Sequence, residues 1–335
     1  MATIRDVAKA AGLAISTVSA VINRSAPVSE DAIKRVEKAV EAVGYIPNGA
    51  ARSLRSGKSS LIGLLVPNVA NPIFSAVARE VEHFCFERGY TSVVFSTGQD
   101  ADREAQILKM MRMHRVGGLV IIPTRSDAQH GAKLRAMIHV PTVLLDMFVE
   151  GLPFDVVKTD NVEAGRIATE HLLSLGHRRI GIIVGIPGLA TSDDRFEGFI
   201  RAHASAGLEV DNDLVIAGQF DTAGAHEAAL ELLARPNPPT AIVTISNLMT
   251  TGLLFALKEK KIRVPEQLSI IGIDELDFSE LLDPVPTVVA TPVIDMARRT
   301  IEMLLAEIEG GEPPAGKWEL WKPKLLQRNS TAPTG

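Results

Sequence analysis

A single cysteine in 335 residues, Cys85, excludes an intrachain disulfide as a source of stability. It falls in a helical run with Val77, Val81 and Phe84, where burial as a small apolar side chain is expected. No apolar run reaches signal-peptide or membrane-spanning length, so no membrane partner is expected and a reducing cytoplasm is the simplest compartment. The G-x-S-x-G elbow, the H-E-x-x-H helix and the phosphate-binding G-x4-G-K loop are also missing. The eight histidines are scattered, and His171 and His177 bracket a helix end, where capping is their expected task. Adjacent Asp193 and Asp194 look like paired acids, but sequence neighbours often point apart and no complementary partner is evident. The chain is therefore expected to be no enzyme and to use neither metal nor cofactor.

What is present suits a soluble globular protein: 46% of residues are hydrophobic and 22% charged. The length predicts two or three compact units. Charge is unevenly spread, since residues 1–60 hold nine Lys/Arg against five Asp/Glu, a net of +4. With an overall charge of −5, the remainder carries −9. A polyanion, if bound, belongs at the N-terminal end.

There Thr3-Ile4-Arg5-Asp6 has the capping-box pattern that starts a helix. Ile4, Val7, Ala8 and Ala11 form one apolar stripe, and Gly12 permits a left-handed end. A second stripe, Ile15, Val18 and Ile22, resumes within three residues, so the two helices cross sharply as a helix-turn-helix. Ser29 predicts the cap of a third helix with Ile33, Val36, Val40 and Val43 inside. Ser16, Thr17, Ser19, Ala20 and Asn23 are left on the outer side of the second helix, facing base edges and phosphates of a major groove. Helix geometry alone also fits a small protein-binding module.

Thr3-Ile4-Arg5-Asp6-Val7-Ala8, Gly12, Thr17-Val18-Ser19, Val21-Ile22-Asn23 and Gly44-Tyr45-Ile46-Pro47-Asn48 together resemble the LacI/GalR family of transcription regulators, and the resemblance runs to the C-terminus. It implies DNA contacts from Thr3, Ile15, Ser16, Thr17, Ser19, Ala20, Asn23 and Ser29. It also implies a hinge helix after Pro47 that contributes Asn48, Ala51, Arg52, Leu54 and Arg55. Leu54 matches the family's minor-groove wedge, and Arg52 and Arg55 would meet phosphates, a division of labour that fits an apolar wedge kinking a base step. Two positions depart from the pattern. Ala14 stands where a serine usually caps the recognition helix, and Ala20 where arginine is common, so the operator sequence is expected to differ from that of arginine-bearing relatives.

From Leu61 onward, short apolar runs (LIGLLV, TSVVFS, GGLVII, PTVLLD, RRIGIIVG, TAIVTI, LSIIGID) alternate with amphipathic helices, predicting parallel sheets in two lobes. The expected fold is thus an all-α helix-turn-helix head (1–46), a hinge and linker (47–60) and an α/β sensor (61–335). The family resemblance makes that sensor periplasmic-binding-protein-like. Its N-lobe is expected at about 61–160 and 290–319 and its C-lobe at about 161–289 and 320–335, with crossings near Asp160, Ala290 and Leu320. Ligands bind beyond the carboxyl ends of such strands. The loops there hold Asn71, Phe74, Asp146, Thr191, Arg195, Phe220, Ser246, Asn247 and Asp274, each at a ligand-contact position of the family.

Carboxylates, amides and two aromatic rings suit a hydroxylated small molecule. Arg195 is the foremost candidate because a guanidinium can fork onto two oxygens. Ser246 and Asn247 replace the family's common asparagine and aspartate, so ligand identity does not transfer. Arg125, Lys158 and Arg195 together would suit a sugar acid or sugar phosphate, but lysines and arginines near loops are usually solvated, so sugar, sugar acid and sugar phosphate all stay open. Trp318 and Trp321 in the alternating WELW run are expected to pack, and the Met-rich stretch from Lys109 to Arg115 serves either the core or a dimer contact.

The expected function is sequence-specific repression by a homodimer on operator DNA, controlled by a sugar-like effector between the lobes. No C-terminal heptad repeat predicts a helical tetramerisation module. A transporter's solute-binding protein would share the lobes but not the head, and a sugar-converting enzyme would show turnover.

Overall fold

The computed structural model describes residues 2–23, 26–45 and 59–334, in two compact units divided at Ser60 and Leu61. The first contains α1 (Ile4–Ala11), α2 (Ile15–Asn23) and α3 (Glu30–Val43). The Thr3 N–H and hydroxyl both donate to the Asp6 carboxylate at 2.8 Å, and these bonds hold the Asp6 carboxyl below its usual range. Gly12 ends α1 with a left-handed φ of 63°. Arg35 of α3 pins that turn, its Nη2 donating to Ala11 O at 2.8 Å and Gly12 O at 3.2 Å. Val7, Ala8, Ala11, Val18, Val36 and Ala39 form the core, with Val40 and Val43 partly buried against it. The fully buried stripe of α3 is therefore Ala32, Val36 and Ala39 rather than one led by Ile33, because the small alanines admit close approach. Ser29 Oγ accepts the Ala32 N–H at 3.4 Å. The expected hinge residues Asn48, Ala51, Arg52, Leu54 and Arg55 lie outside the described residues.

The second unit contains two six-stranded sheets. One comprises β1 (Leu61–Val66), β2 (Thr91–Ser96), β3 (Gly118–Ile121), β4 (Thr142–Leu145), β5 (Asp155–Thr159) and β11 (Trp318–Trp321), in the order β2-β1-β3-β4-β5-β11 and parallel throughout. The other comprises β6 (Ile180–Val184), β7 (Val215–Ala217), β8 (Ala241–Thr244), β9 (Ser269–Ile273), β10 (Thr287–Ala290) and β12 (Lys324–Leu326), in the corresponding order β7-β6-β8-β9-β10-β12. Its strands pair in parallel except β12, which pairs antiparallel with β10.

Helices α4 (Pro72–Glu87), α5 (Ala101–Met113), α6 (Ala128–Met137) and α11 (Val293–Ile308) flank the first sheet. Helices α7 (Asn161–Ser174), α8 (Ala190–Ser205), α9 (Thr222–Leu233) and α10 (Asn247–Lys260) flank the second. The chain passes between lobes at Asp160, again between β10 and α11, and a third time between β11 and β12. Leu320 is paired with Lys158 inside β11, so the third passage falls at 322–323.

Cys85 is fully buried, and loss of hydration pushes its thiol up to about 11, which keeps it protonated and inert. Met111 fills the N-lobe core, whereas Met113 of the same stretch is exposed. Trp321 packs on the core, while Trp318 remains half exposed against Phe148 at 4.4 Å. The side chains of His171 and His177 do not cap their helix. His171 Nε2 meets Thr331 Oγ1 at 2.9 Å and His177 Nε2 meets Ala332 O at 3.0 Å, so both hold the C-terminal segment against the C-lobe.

Candidate functional site

Loops at the carboxyl ends of strands from both sheets enclose a cavity of about 330 Å³. All nine residues expected at a ligand site line it. Asn71 opens α4 and Thr191 lies in its counterpart α8, while Asp146 and Asp274 immediately after their strands, and Phe220 three residues beyond β7, hold left-handed backbone angles (φ 68°, 71° and 57°). With Gln99 and Gln219, five non-glycine residues hold that conformation around one cavity and mark a constrained site.

Arg195 is almost fully buried and organises the C-lobe wall. Its Nη1 donates to Asp274 Oδ2 at 2.9 Å and to Ile245 O at 2.5 Å, and its Nε donates to Asn161 Oδ1 at 2.9 Å. The Thr291 hydroxyl donates to the other Asp274 oxygen at 2.6 Å. Nη2 makes no hydrogen bond among the described residues. Asp146 contrasts with Asp274: its carboxylate makes no side-chain hydrogen bond or ion pair among the described residues. Loss of hydration pushes its carboxyl upward, aided by the Asp274 charge and opposed by Arg195 and Lys158.

Asn71 and Asn247 face each other across the lobes, exchanging amide hydrogen bonds of 2.9 and 3.3 Å. Ser246 caps α10 by accepting the Met249 N–H at 3.3 Å. Phe220 lies over Gly185, where a Cβ would stand 2.2 Å from the ring, and Phe74 lies across the cavity on α4. The expected cationic trio is not assembled. Lys158 instead bridges the lobes to Asp194 at 3.4 Å, and Arg125 lines a separate surface depression with Asp127 and Lys133. Arg195 is thus the only cation among the described lining residues, set against Asp146, Asp221 and Asp274.

On the head, Ile15 and Ser16 are exposed and Thr17, Ser19, Ala20 and Asn23 are half-buried along α2. Thr3 and Ser29 are exposed while engaged in the two helix caps. Ala14 supplies only its backbone carbonyl, which accepts the Val18 N–H at 3.0 Å.

Residues 3–48 match the model for bacterial regulatory proteins of the lacI family, and residues 169–331 match the periplasmic binding protein-like domain. The HTH-type transcriptional repressor PurR of Aliivibrio salmonicida is 33% identical over 330 residues, covering 98% of this chain and 99% of that protein. The chain belongs to the lacI family of bacterial regulatory proteins. As a lacI-family member it is a DNA-binding regulator. It shares its fold with the Lac repressor dimer bound to operator and the anti-inducer ONPF, at a TM-score of 0.88, 24% identity and 99% coverage of both chains. A LacI family transcriptional regulator from Enterococcus faecium with bound ribose is 26% identical, with a TM-score of 0.72 over 82% of this chain and 100% of that one.

Sequence reasoning missed several participants. Gln99 and Gln219 line the cavity with left-handed backbones; Gln99 comes after the apolar run that forms β2, so the strand-end rule could have found it, whereas Gln219 comes after only the three-residue β7. Thr159 ends β5 and Thr291 follows β10, strands that do not stand out as apolar runs in the sequence. Asn161 and Arg35 act through long-range contacts that leave no local signal.

Proposed function

We propose that this lacI-family chain is a cytoplasmic homodimeric repressor whose affinity for a near-palindromic operator is controlled by a neutral monosaccharide bound between the lobes. The charge of the cavity carries the effector assignment. Its one lining cation is already paired with Asp274, while the Asp146 carboxylate and the Gln99 and Gln219 amides face the same space. Such a wall accepts and donates hydrogen bonds to hydroxyls but offers an anion no uncompensated cation. Phe74 and Phe220 provide apolar faces for a sugar ring, and a volume near 330 Å³ lies at the small end of ligand sites. The ribose held by the Enterococcus faecium regulator is of this class. The hinge reading, with Leu54 as wedge, rests on the sequence alone. Exposed Phe255, Phe278 and Leu281 on the C-lobe, and Phe86 and Met113 on the N-lobe, are apolar surface available for a dimer contact.

A thermal-shift panel of neutral pentoses and hexoses, sugar acids, sugar phosphates and nucleobases tests the effector class on the full chain. A neutral monosaccharide is expected to raise the unfolding midpoint and to come through incubation chemically unchanged. It must also alter operator affinity, with operator altering its affinity by the reciprocal factor. Stabilisation by phosphorylated sugars or nucleobases alone overturns the neutral-sugar reading, and release of a converted product overturns the non-enzymatic one.

A further inference from the structure

Helix α2, Ile-Ser-Thr-Val-Ser-Ala-Val-Ile-Asn, contains no charged side chain. At 100° per residue its outward arc comprises Ile15, Ser16, Ser19, Ala20 and Asn23, with Val18 locked fully inside. Asn23 carries the only amide on that arc, and it is turned back along the helix: Nδ2 donates to Ser19 O at 2.7 Å and lies 3.2 Å from Ser19 Oγ. The nearby Arg35 guanidinium is committed to Ala11 O and Gly12 O. The side chains that fork onto guanine or adenine are therefore either absent from this face or already engaged. At its start stands Ile15, 47% exposed and the only large apolar side chain that the described head residues leave in solvent.

We propose that α2 reads thymine methyl groups, with Ile15 as the principal contact and the Ala20 methyl as a smaller one; this rests on the DNA-binding reading above. The first residues of a recognition helix reach deepest toward the base edges. The only apolar group that the four bases present in the major groove is the C5-methyl of thymine. An isoleucine there pairs with that methyl by removing both from water, while the hydroxyls of Ser16 and Ser19 tolerate either donors or acceptors beside it. Sequence preference at this position then comes from one methyl group, not from a bidentate hydrogen bond.

The test begins with duplexes selected from a random pool by the full chain. Each thymine of the selected half-site is then replaced singly by deoxyuridine, which removes the methyl and leaves the pairing intact. At one position the wild type should lose about fourfold in affinity per half-site, or about fifteenfold when both half-sites are changed. Ile15→Ala, at an exposed position and with an unchanged unfolding midpoint, should bind thymine and deoxyuridine duplexes equally. The proposal is overturned if no deoxyuridine substitution weakens binding, or if Ile15→Ala keeps the full thymine preference. Failure to bind any duplex is a different result, which overturns the DNA-binding reading and this proposal with it.

Discussion

Arg195 and Asp146 line the same cavity but differ in what their removal does. Arg195 ties Asp274, Ile245 O and Asn161 together, so Arg195→Ala leaves a buried carboxylate unpaired at a cost of about 3–5 kcal/mol. Loss of effector response in that variant would mix recognition with damage to the C-lobe. Asp146 has no side-chain partner among the described residues to leave stranded, and its carboxylate is already penalised by lost hydration. Asp146→Asn should therefore weaken sugar binding by about 1.5–3 kcal/mol, the usual worth of a hydrogen bond to a charged group, while the unfolding midpoint holds or rises. Isothermal titration beside a melting curve measures both, and undiminished affinity would remove Asp146 from the recognition set.

At the scale of elements, α7 and α8 cross with their backbones in contact, and α8 carries Thr191 and Arg195. A Cβ on Gly198 would stand 2.0 Å from Val162 O, and one on Gly165 would stand 1.9 Å from Arg195 O. Gly198→Ala must push the helices apart, at a cost of about 1–3 kcal/mol, and drag both ligand-facing residues out of place. Its unfolding midpoint and sugar affinity should fall together, whereas Ser205→Ala, exposed on the same helix, should change neither. Such a crossing is invisible in sequence because glycine gives no hint of which backbone approaches it. The apolar runs that became β1, β3, β4, β6, β8 and β9 were legible, since strands buried on both faces read as continuous Val, Ile and Leu. The segments DVVKT, VIA, TVVA and KLL of β5, β7, β10 and β12 are too short or too polar for that signal. The cavity residues were legible from the strand-end rule together with the family pattern. Their division into anchored and open groups was not, because Arg195 finds Asn161 and Ile245 at separations of 34 and 50 residues.

At the scale of the whole molecule, three buried histidines make stability depend on mildly acidic pH. Burial lowers the imidazoles of His171, His177 and His203 below their ordinary value, with the His177 charge adding to the effect at His171. Ala332 O fixes His177 Nε2 as an N–H donor, so the neutral ring accepts the Thr240 hydroxyl at Nδ1, 2.9 Å away. Because the folded values lie below the unfolded value of about 6.5, the unfolded chain binds more protons across that window, and stability rises with pH through it. The full contribution is present above about pH 7 and is lost as pH falls through the unfolded value toward the folded ones. Salt-bridged carboxylates such as Glu163, Asp211 and Glu319 are held below their usual range, so the stability they add is constant across about pH 5.5–7.5 and is lost only at lower pH, whereas the raised carboxyls of Asp146 and Glu307 work against the histidines. The unfolding midpoint of the wild type should fall across that interval on acidification. His177→Gln, which weakens the hold on the C-terminal segment, should start from a lower midpoint at pH 7.5 and fall less steeply. A wild-type midpoint that stays level from pH 7.5 to 5.5 would show that these rings are not kept neutral by the fold.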